Sequence, residues 1–467
     1  MKVGIDTAIL SKVFGASSSG STIEERARSS ERQFVRGQTM LAEASATAKG
    51  RRLSAFEAFK IFGFEILAQA VDDGQVAIVP NRSEPANTIK SRREALGISR
   101  EMLSKIAGIK PALLEAMETP GRVSSIREIE KIAAPLAIDE RYLGLSMEKS
   151  ADAELGVRFR KFLFTEKKRH SSAAIMAKLT EAAWLIARQQ DLLGSIGIAE
   201  VVTERFEKSD DYGFPTFAVG YELATRAREI LGIDLHSPIQ SLRRLIEHDL
   251  NIPLIETELG HNLAGATISN GQRRGIVVNI EGKNENPWVR RMTLAHELGH
   301  LLWDPDQRLE KLAVDRYDAI IGEVKLTQDA VEMRANAFAV AFLAPPEEVI
   351  KIAQRADLGS PVENYVSEHF GISLTASRAH IQNVCGIRLP SVKEKPVVSD
   401  EWKAQEDRTN DYFPLRETPI SRRGRFSWAV ETAFVNGIIS DDTAATLLMA
   451  DIQGVTEASR QIIDLTS

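Results

Sequence analysis

The chain has 467 residues, 43% of them hydrophobic and 27% charged, with a formal net charge of -6. That length points to two or three soluble domains rather than one core. The acidic balance excludes a molecule that binds polyanions over its whole surface, so any nucleic-acid contact has to come from a local patch. A single cysteine, Cys385, excludes an internal disulfide. "MKVGIDTAIL" has no long apolar leader, and no apolar run is long enough to span a bilayer. The expectation is a cytoplasmic protein with no membrane contact.

Residues 1–84 are expected to form a helical or partly disordered extension. There "FGASSSGST" reads as loop by composition and "AFEAFKIFGFEILAQAV" as an apolar helix. The stretch "SEPANT" (Ser83 to Thr88) reads as a linker into the unit at residues 85–147, where short apolar-periodic segments alternate with Gly97, Gly108 and Gly121. Ser99 stands at a helix N-cap position, and "SREMLSKIAGIKPALLEAME" reads as helix, glycine turn, helix. Residues 148–212 are expected to be a helical connector. Its "RFRKFLFTEKKRH" (Arg158 to His170) interleaves aromatics with cations, as a single-stranded nucleic-acid site would, although such a run is more often a solvated helix face. "SRRGRF" (Ser421 to Phe426) is a weaker run of the same kind.

Residues 213–390 read differently. Two helices lead into the short strand "IPLIET", and "AGATISNGQRRGIVVNI" reads as a β-hairpin. Residues 391–467 begin polar and irregular and close in two or more helices. The fold class expected is mainly α, with a small β-sheet confined to the third unit and an all-α unit over residues 85–147.

The chemistry concentrates in "LAHELGHLLW", Leu294 to Trp303. A helix returns to the same face after four residues, so His296 and His300 project together and could grip one zinc ion. Glu297, next to the first imidazole, can reach a water at the metal without ligating, and can act as general base. Gly299 is expected to remove a side chain beside the metal, which suits a crowded site, or else is simply tolerated at a helix cost of about 1 kcal/mol. A third protein ligand is needed, with a fourth position left open. Asp306 has the metzincin spacing, but Trp303 stands where that turn needs glycine. Glu332, in "QDAVEMRANAFAVAFLAPPEEV", lies on a second helix whose alanines allow close packing, and is the favoured candidate; Glu323 and Asp329 are lesser ones.

"RRMTLAHELGHLLW" followed by "VEMRANAFAVAFLAPPEEV" resembles the ImmA/IrrE metallopeptidases, over roughly Gly220 to Leu389. The family's second-helix pattern is met by Glu332, Ala335, Asn336, Phe338, Ala339, Leu343 and Pro345. The resemblance implies a gluzincin-like α+β domain. It implies His296, His300 and Glu332 as Zn2+ ligands, Glu297 as catalytic base, and a protein substrate, usually a small helix-turn-helix repressor cut once on a stress or mobile-element signal. Relatives often carry another histidine near Asp304, where this chain reads "WDPD".

Residues 85–147 resemble Xre/Cro-type helix-turn-helix domains. Together the two resemblances imply a transcriptional regulator of the kind found in toxin–antitoxin or phage-associated loci. Double-stranded operator DNA, a single-stranded nucleic-acid signal and a second copy of the chain are the further partners they allow. Arg92, Arg93, Arg100, Lys105 and Lys110, with Lys90, are candidate DNA contacts, yet "KPALLEAME" offers few base-reading side chains. The alternative is a DNA-binding repressor or antitoxin whose peptidase fold is a sensor or scaffold. His261, Tyr317, His369 and His380 are candidate polarising donors, each more simply a structural hydrogen-bonding residue. Cys385 reads as a small core residue.

Overall fold

The computed structural model describes residues 7–45, 47–79, 81, 83–143, 145, 171–198, 205–208, 216–270, 273–309, 313–317, 330–355, 358, 360–390, 396–406 and 413–466. The basic run from Arg158 to His170 lies outside these residues, as do Glu323 and Asp329. The chain divides into two units: Met1–Ala199 with Thr409–Ser467, and Glu200–Arg408. No described helix is long and apolar enough to cross a membrane.

The first unit contains a sheet that the sequence reading did not anticipate. β1 (Gln33–Arg36), β2 (Met40–Glu43), β3 (Arg51–Ser54) and β4 (Gln75–Ala77) pair antiparallel in the order β3-β1-β2-β4. Strands of three or four residues are too short to display a period of two, so the apolar helices around them dominated the pattern. Two capping boxes, Thr22 with Glu25 and Ser54 with Glu57, start the helices Ile23–Arg28 and Ala55–Phe62. The helices Ala86–Leu96, Arg100–Ile106, Pro111–Met117 and Ile126–Ala133 follow, and Ser99 caps the second as expected.

The closing helices Arg425–Val435, Asp441–Leu448 and Ile452–Thr466 belong to this same unit. Polar bonds show how. Arg51 pairs with both Glu130 and Asp442, and Ser54 Oγ donates to the Ile438 carbonyl at 2.7 Å. Arg422 reaches Glu181 at 2.8 Å and the Leu447 carbonyl at 2.8 Å, and the Arg425 guanidinium lies 3.8 Å from the Trp428 ring centroid. Both arginines are buried, so "SRRGRF" is packing rather than a nucleic-acid face.

In the second unit, β5 (Leu254–Thr257), β6 (Leu263–Asn270), β7 (Arg273–Asn279) and β8 (Ala313–Arg316) form a sheet in the order β5-β7-β6-β8. β6 and β7 are the expected hairpin, and β5 is the expected strand, parallel to β7. β8 was not foreseen; it pairs antiparallel with β6 and forms the edge. Against the sheet lies the helix Pro287–Trp303, called the motif helix below. Asn286 caps it, accepting from the Trp288 amide at 2.9 Å, and Pro287 sits at its first turn, where a missing N–H costs nothing. Nearly every residue of the motif helix is buried, which explains its lack of a polar stripe.

The second helix, Ala330–Leu343, packs on the motif helix at a glycine. A Cβ on Gly299 would stand 2.7 Å from Phe338 Cδ1. Gly299 therefore makes room for an aromatic ring of the neighbouring helix rather than for a ligand at the metal site. The helix Thr216–Leu231 crosses the second helix equally closely, since a Cβ on Gly220 would meet the Arg334 carbonyl at 2.5 Å. Arg228, buried on that first helix, donates to the Phe342 carbonyl at 2.8 Å and so caps the C-terminal end of the second. Arg291 on the motif helix is fully buried. It is paired with Glu406, bonded to the Gly371 carbonyl at 3.0 Å, and lies 4.5 Å from the Trp402 ring centroid. Its charge is satisfied on every side, as a buried guanidinium requires.

Candidate metal centre

The four-residue spacing brings the imidazoles together as helix geometry dictates. His296 Nε2 and His300 Nε2 are 3.0 Å apart, with the rings edge to face. The close packing at Gly299 delivers the second helix, and Glu332 in its first turn places Oε2 3.3 Å from His296 Nε2 and 3.5 Å from His300 Nε2. Edge strand β8 adds Asp315, whose Oδ2 lies 3.6 Å from His296 Nε2. Ligand atoms of His296, His300, Asp315 and Glu332 all lie within 4.8 Å of one another.

The donor set fits a divalent cation. Glu332 Oε2 and Asp315 Oδ2 are buried oxygens with no hydrogen-bond donor, and Glu297 Oε1 beside them is the same. Three carboxylates cannot be held dry at one point without a compensating positive charge. Burial opposes charging His296, but Asp315 and Glu332 outweigh it and lift the imidazole to about 9. Burial likewise opposes charging His300, and Asp304 with Glu332 hold it well above its ordinary value. Burial resists the charge of Glu332, yet the two imidazoles hold its carboxyl far below the usual range. Burial first, and Asp315 second, push Glu297 well upward. Two imidazoles and a carboxylate are the ligand types of hydrolytic zinc sites.

The surrounding residues orient this set. His300 Nδ1 donates to Asp304 Oδ2 at 2.9 Å, which leaves Nε2 as the atom facing the other ligands. Asp304 is itself paired with Arg334 and with Arg308 at 3.1 Å, and Arg308 reaches Glu332 Oε1 at 3.1 Å. On the sheet side, Thr267 Oγ1 donates to Glu297 Oε2 at 2.9 Å. Gly265 lets the strand pass over that carboxylate, because a Cβ there would meet Glu297 Oε1 and Thr293 Cγ2, both at 3.0 Å.

Of the sequence candidates, His296, Glu297, His300 and Glu332 are brought together. Asp306 is not: it is exposed and paired with Arg274 at 2.8 Å and Lys208 at 2.9 Å. Tyr317 donates to the Glu281 carbonyl at 2.5 Å, and His380 bonds the Ala344 carbonyl at 2.8 Å and Tyr221 at 3.0 Å, so both are structural. His369 stacks on Tyr365, and His261 is exposed in the turn before β6. Burial raises the Cys385 thiol, and its side chain packs against the apolar core. Asp304, Thr267, Arg334 and Asp315 were missed. Asp304 stands four residues after His300 and was findable by helical spacing; the others meet the site through tertiary pairing.

Among the DNA candidates, Arg92 and Arg93 require correction. They are 5% and 8% exposed. Arg92 Nε donates to the Leu136 carbonyl at 2.8 Å, and Arg93 is paired with Glu118, so neither reaches a phosphate. Arg100 is half-buried and shares Glu118 at 2.7 Å, whereas Lys90, Lys105 and Lys110 are exposed.

No curated protein matches the chain significantly. Residues 249–380, which carry both imidazoles, all three carboxylates and the groups that orient them, match the family model of peptidase family M78, described as the IrrE N-terminal-like domain.

Proposed function

We propose that this chain is a zinc-dependent endopeptidase with His296, His300 and Glu332 as ligands and Glu297 as general base. The observation that carries the reading is the convergence of orphaned carboxylate oxygens and imidazole nitrogens within 4.8 Å on a buried HELGH helix. A zinc ion held there would polarise a peptide carbonyl and bring the pKa of water down to about 7. Glu297 is anchored through Oε2 by Thr267, which leaves Oε1 to take a proton from the attacking water and hand it to the departing amine. Asp304 holds the tautomer of His300, and the dry surroundings strengthen each of these electrostatic contacts.

The substrate in this reading is a protein partner, such as a helix-turn-helix repressor, and the role is regulatory. Support comes from the resemblance of residues 85–147 to Xre-type domains in the same chain as the peptidase-like segment. Proteomes of cells expressing the wild type and Glu297→Gln decide it. A polypeptide that disappears only with the wild type is expected, together with zinc in wild type and Glu297→Gln but not in His296→Ala. If every polypeptide survives equally while wild type and variant both shift operator DNA, the chain is the repressor-type alternative. DNA binding is supported by exposed Lys90, Lys105 and Lys110 on successive short helices and their turns.

A further inference from the structure

We propose that Asp315 is a fourth protein ligand of the metal site. Delivered by edge strand β8, it fills the position that hydrolysis needs open, so the peptidase rests in a latent state. This inference rests on the metallopeptidase reading and adds its regulation.

The register of β8 aims the side chain. Asp315 stands opposite Gly265 on β6, while its neighbour Arg316 stands opposite Leu263, so Ala264 is an extra residue and the pair carries a bulge beside Asp315. Bulges re-aim side chains next to active sites. Residues directly opposite in an antiparallel pair share a face of the sheet. The face at Gly265 is known, since a Cβ there would touch Glu297 and Thr293 of the motif helix. Asp315 therefore points at the motif helix, and it is 7% exposed with Oδ2 lacking any hydrogen-bond donor.

The spacing puts Asp315 at the margin of the three-ligand cluster. With ligand bonds of about 2.0–2.2 Å, atoms at the corners of a tetrahedron stand roughly 3.3–3.6 Å apart. His296, His300 and Glu332 stand 3.0, 3.3 and 3.5 Å apart, Asp315 Oδ2 is 3.6 Å from His296 Nε2, and all four ligand atoms lie within 4.8 Å of one another, so a small inward shift of Asp315 would complete the shell. Zinc sites with four protein ligands are closed; hydrolytic ones keep three and an open position. Withdrawing β8 would restore the open position and at the same time free the edge of β6. An extended peptide could then pair there.

The test uses the full chain loaded with Co2+, as wild type and as Asp315→Asn, an isosteric change whose folding is checked by circular dichroism. Acetohydroxamate, a small bidentate metal ligand, is titrated while the visible cobalt bands are followed, and metal affinity is measured by chelator competition. The expected result is that acetohydroxamate perturbs the bands of Asp315→Asn at concentrations at least about tenfold lower than for the wild type, and that the variant holds the metal at least about tenfold more weakly. Equal responses to acetohydroxamate overturn the proposal and leave the metallopeptidase reading standing. A wild type that takes up no metal overturns both.

Discussion

Glu297 and Asp304 are carboxylates seven residues apart on and just beyond one buried helix, and their neighbours give them opposite tasks. Glu297 keeps one oxygen free of donors beside the ligand atoms, whereas Asp304 spends its oxygens on His300, Arg334 and Arg308. Replacing Glu297 with Gln is expected to lower peptide cleavage by roughly 10²–10⁴-fold with metal content unchanged, read by turnover assay and metal analysis of the same preparation. Asp304→Ala is expected instead to weaken metal binding by about 10–100-fold, read by chelator competition. The metal-free protein carries a pH signature. With its folded-state pKa lifted to about 9, His296 keeps a proton that the unfolded chain surrenders near about 6.5. The stability from that proton is complete below the unfolded value and is lost as pH climbs toward the folded one. Melting of chelator-treated protein between about pH 6 and pH 9 is expected to fall in midpoint, and zinc-loaded protein is expected to change little. A rise for the chelated protein across this window would contradict the arrangement.

At the scale of elements, the site depends on how closely two helices approach. The motif helix carries both imidazoles and the second helix carries Glu332, and Gly299 against Phe338 sets their separation. Gly299→Ala gains up to about 1 kcal/mol in helix propensity but forces a ring to move, an overpacking cost of about 1–3 kcal/mol. The expected outcome is a lower melting midpoint together with weaker zinc binding, because Phe338 and Glu332 move as one helix. Were metal affinity to hold while stability fell, the Glu332 carboxylate would not be positioned by this contact. The hairpin next to the motif was legible in the sequence, where β-branched runs mark β6 and β7. β8 was not, because four residues show no usable periodicity and its identity as a strand comes from pairing with β6.

For the whole molecule, the division into units follows the cores rather than chain order. Glu200–Arg408 is one contiguous stretch with its own apolar core, running from Phe206 to Ile381 and built on the motif helix. Expressed alone, residues 200–408 are expected to fold and bind one zinc per chain, measured by thermal melting and metal analysis. Residues 1–199 without 409–467 are expected to fold poorly, since Arg51 would lose Asp442, Arg422 would leave Glu181, and Ser54 would lose the Ile438 carbonyl. A stable, soluble 1–199 fragment would show that the closing helices are dispensable to that unit.

His296, Glu297 and His300 were readable because their geometry is local: a helix of 3.6 residues per turn fixes what stands at i and i+4 without reference to the rest of the chain. The pairing of Glu332 with them was readable through a motif resemblance, and the hairpin through its alternation. Sequence charge alone could not separate Arg92 and Arg93, buried on Leu136 and Glu118, from the exposed Lys105 and Lys110, because exposure depends on which helix face another element covers. The sheet over residues 33–77, the return of the C-terminal helices to the first unit and the arrival of Asp315 at the ligand cluster were all decided in three dimensions. The strands of that sheet are close in sequence but too short to show a period, while the C-terminal helices and Asp315 meet partners distant in the chain, through burial and pairing that no local window contains.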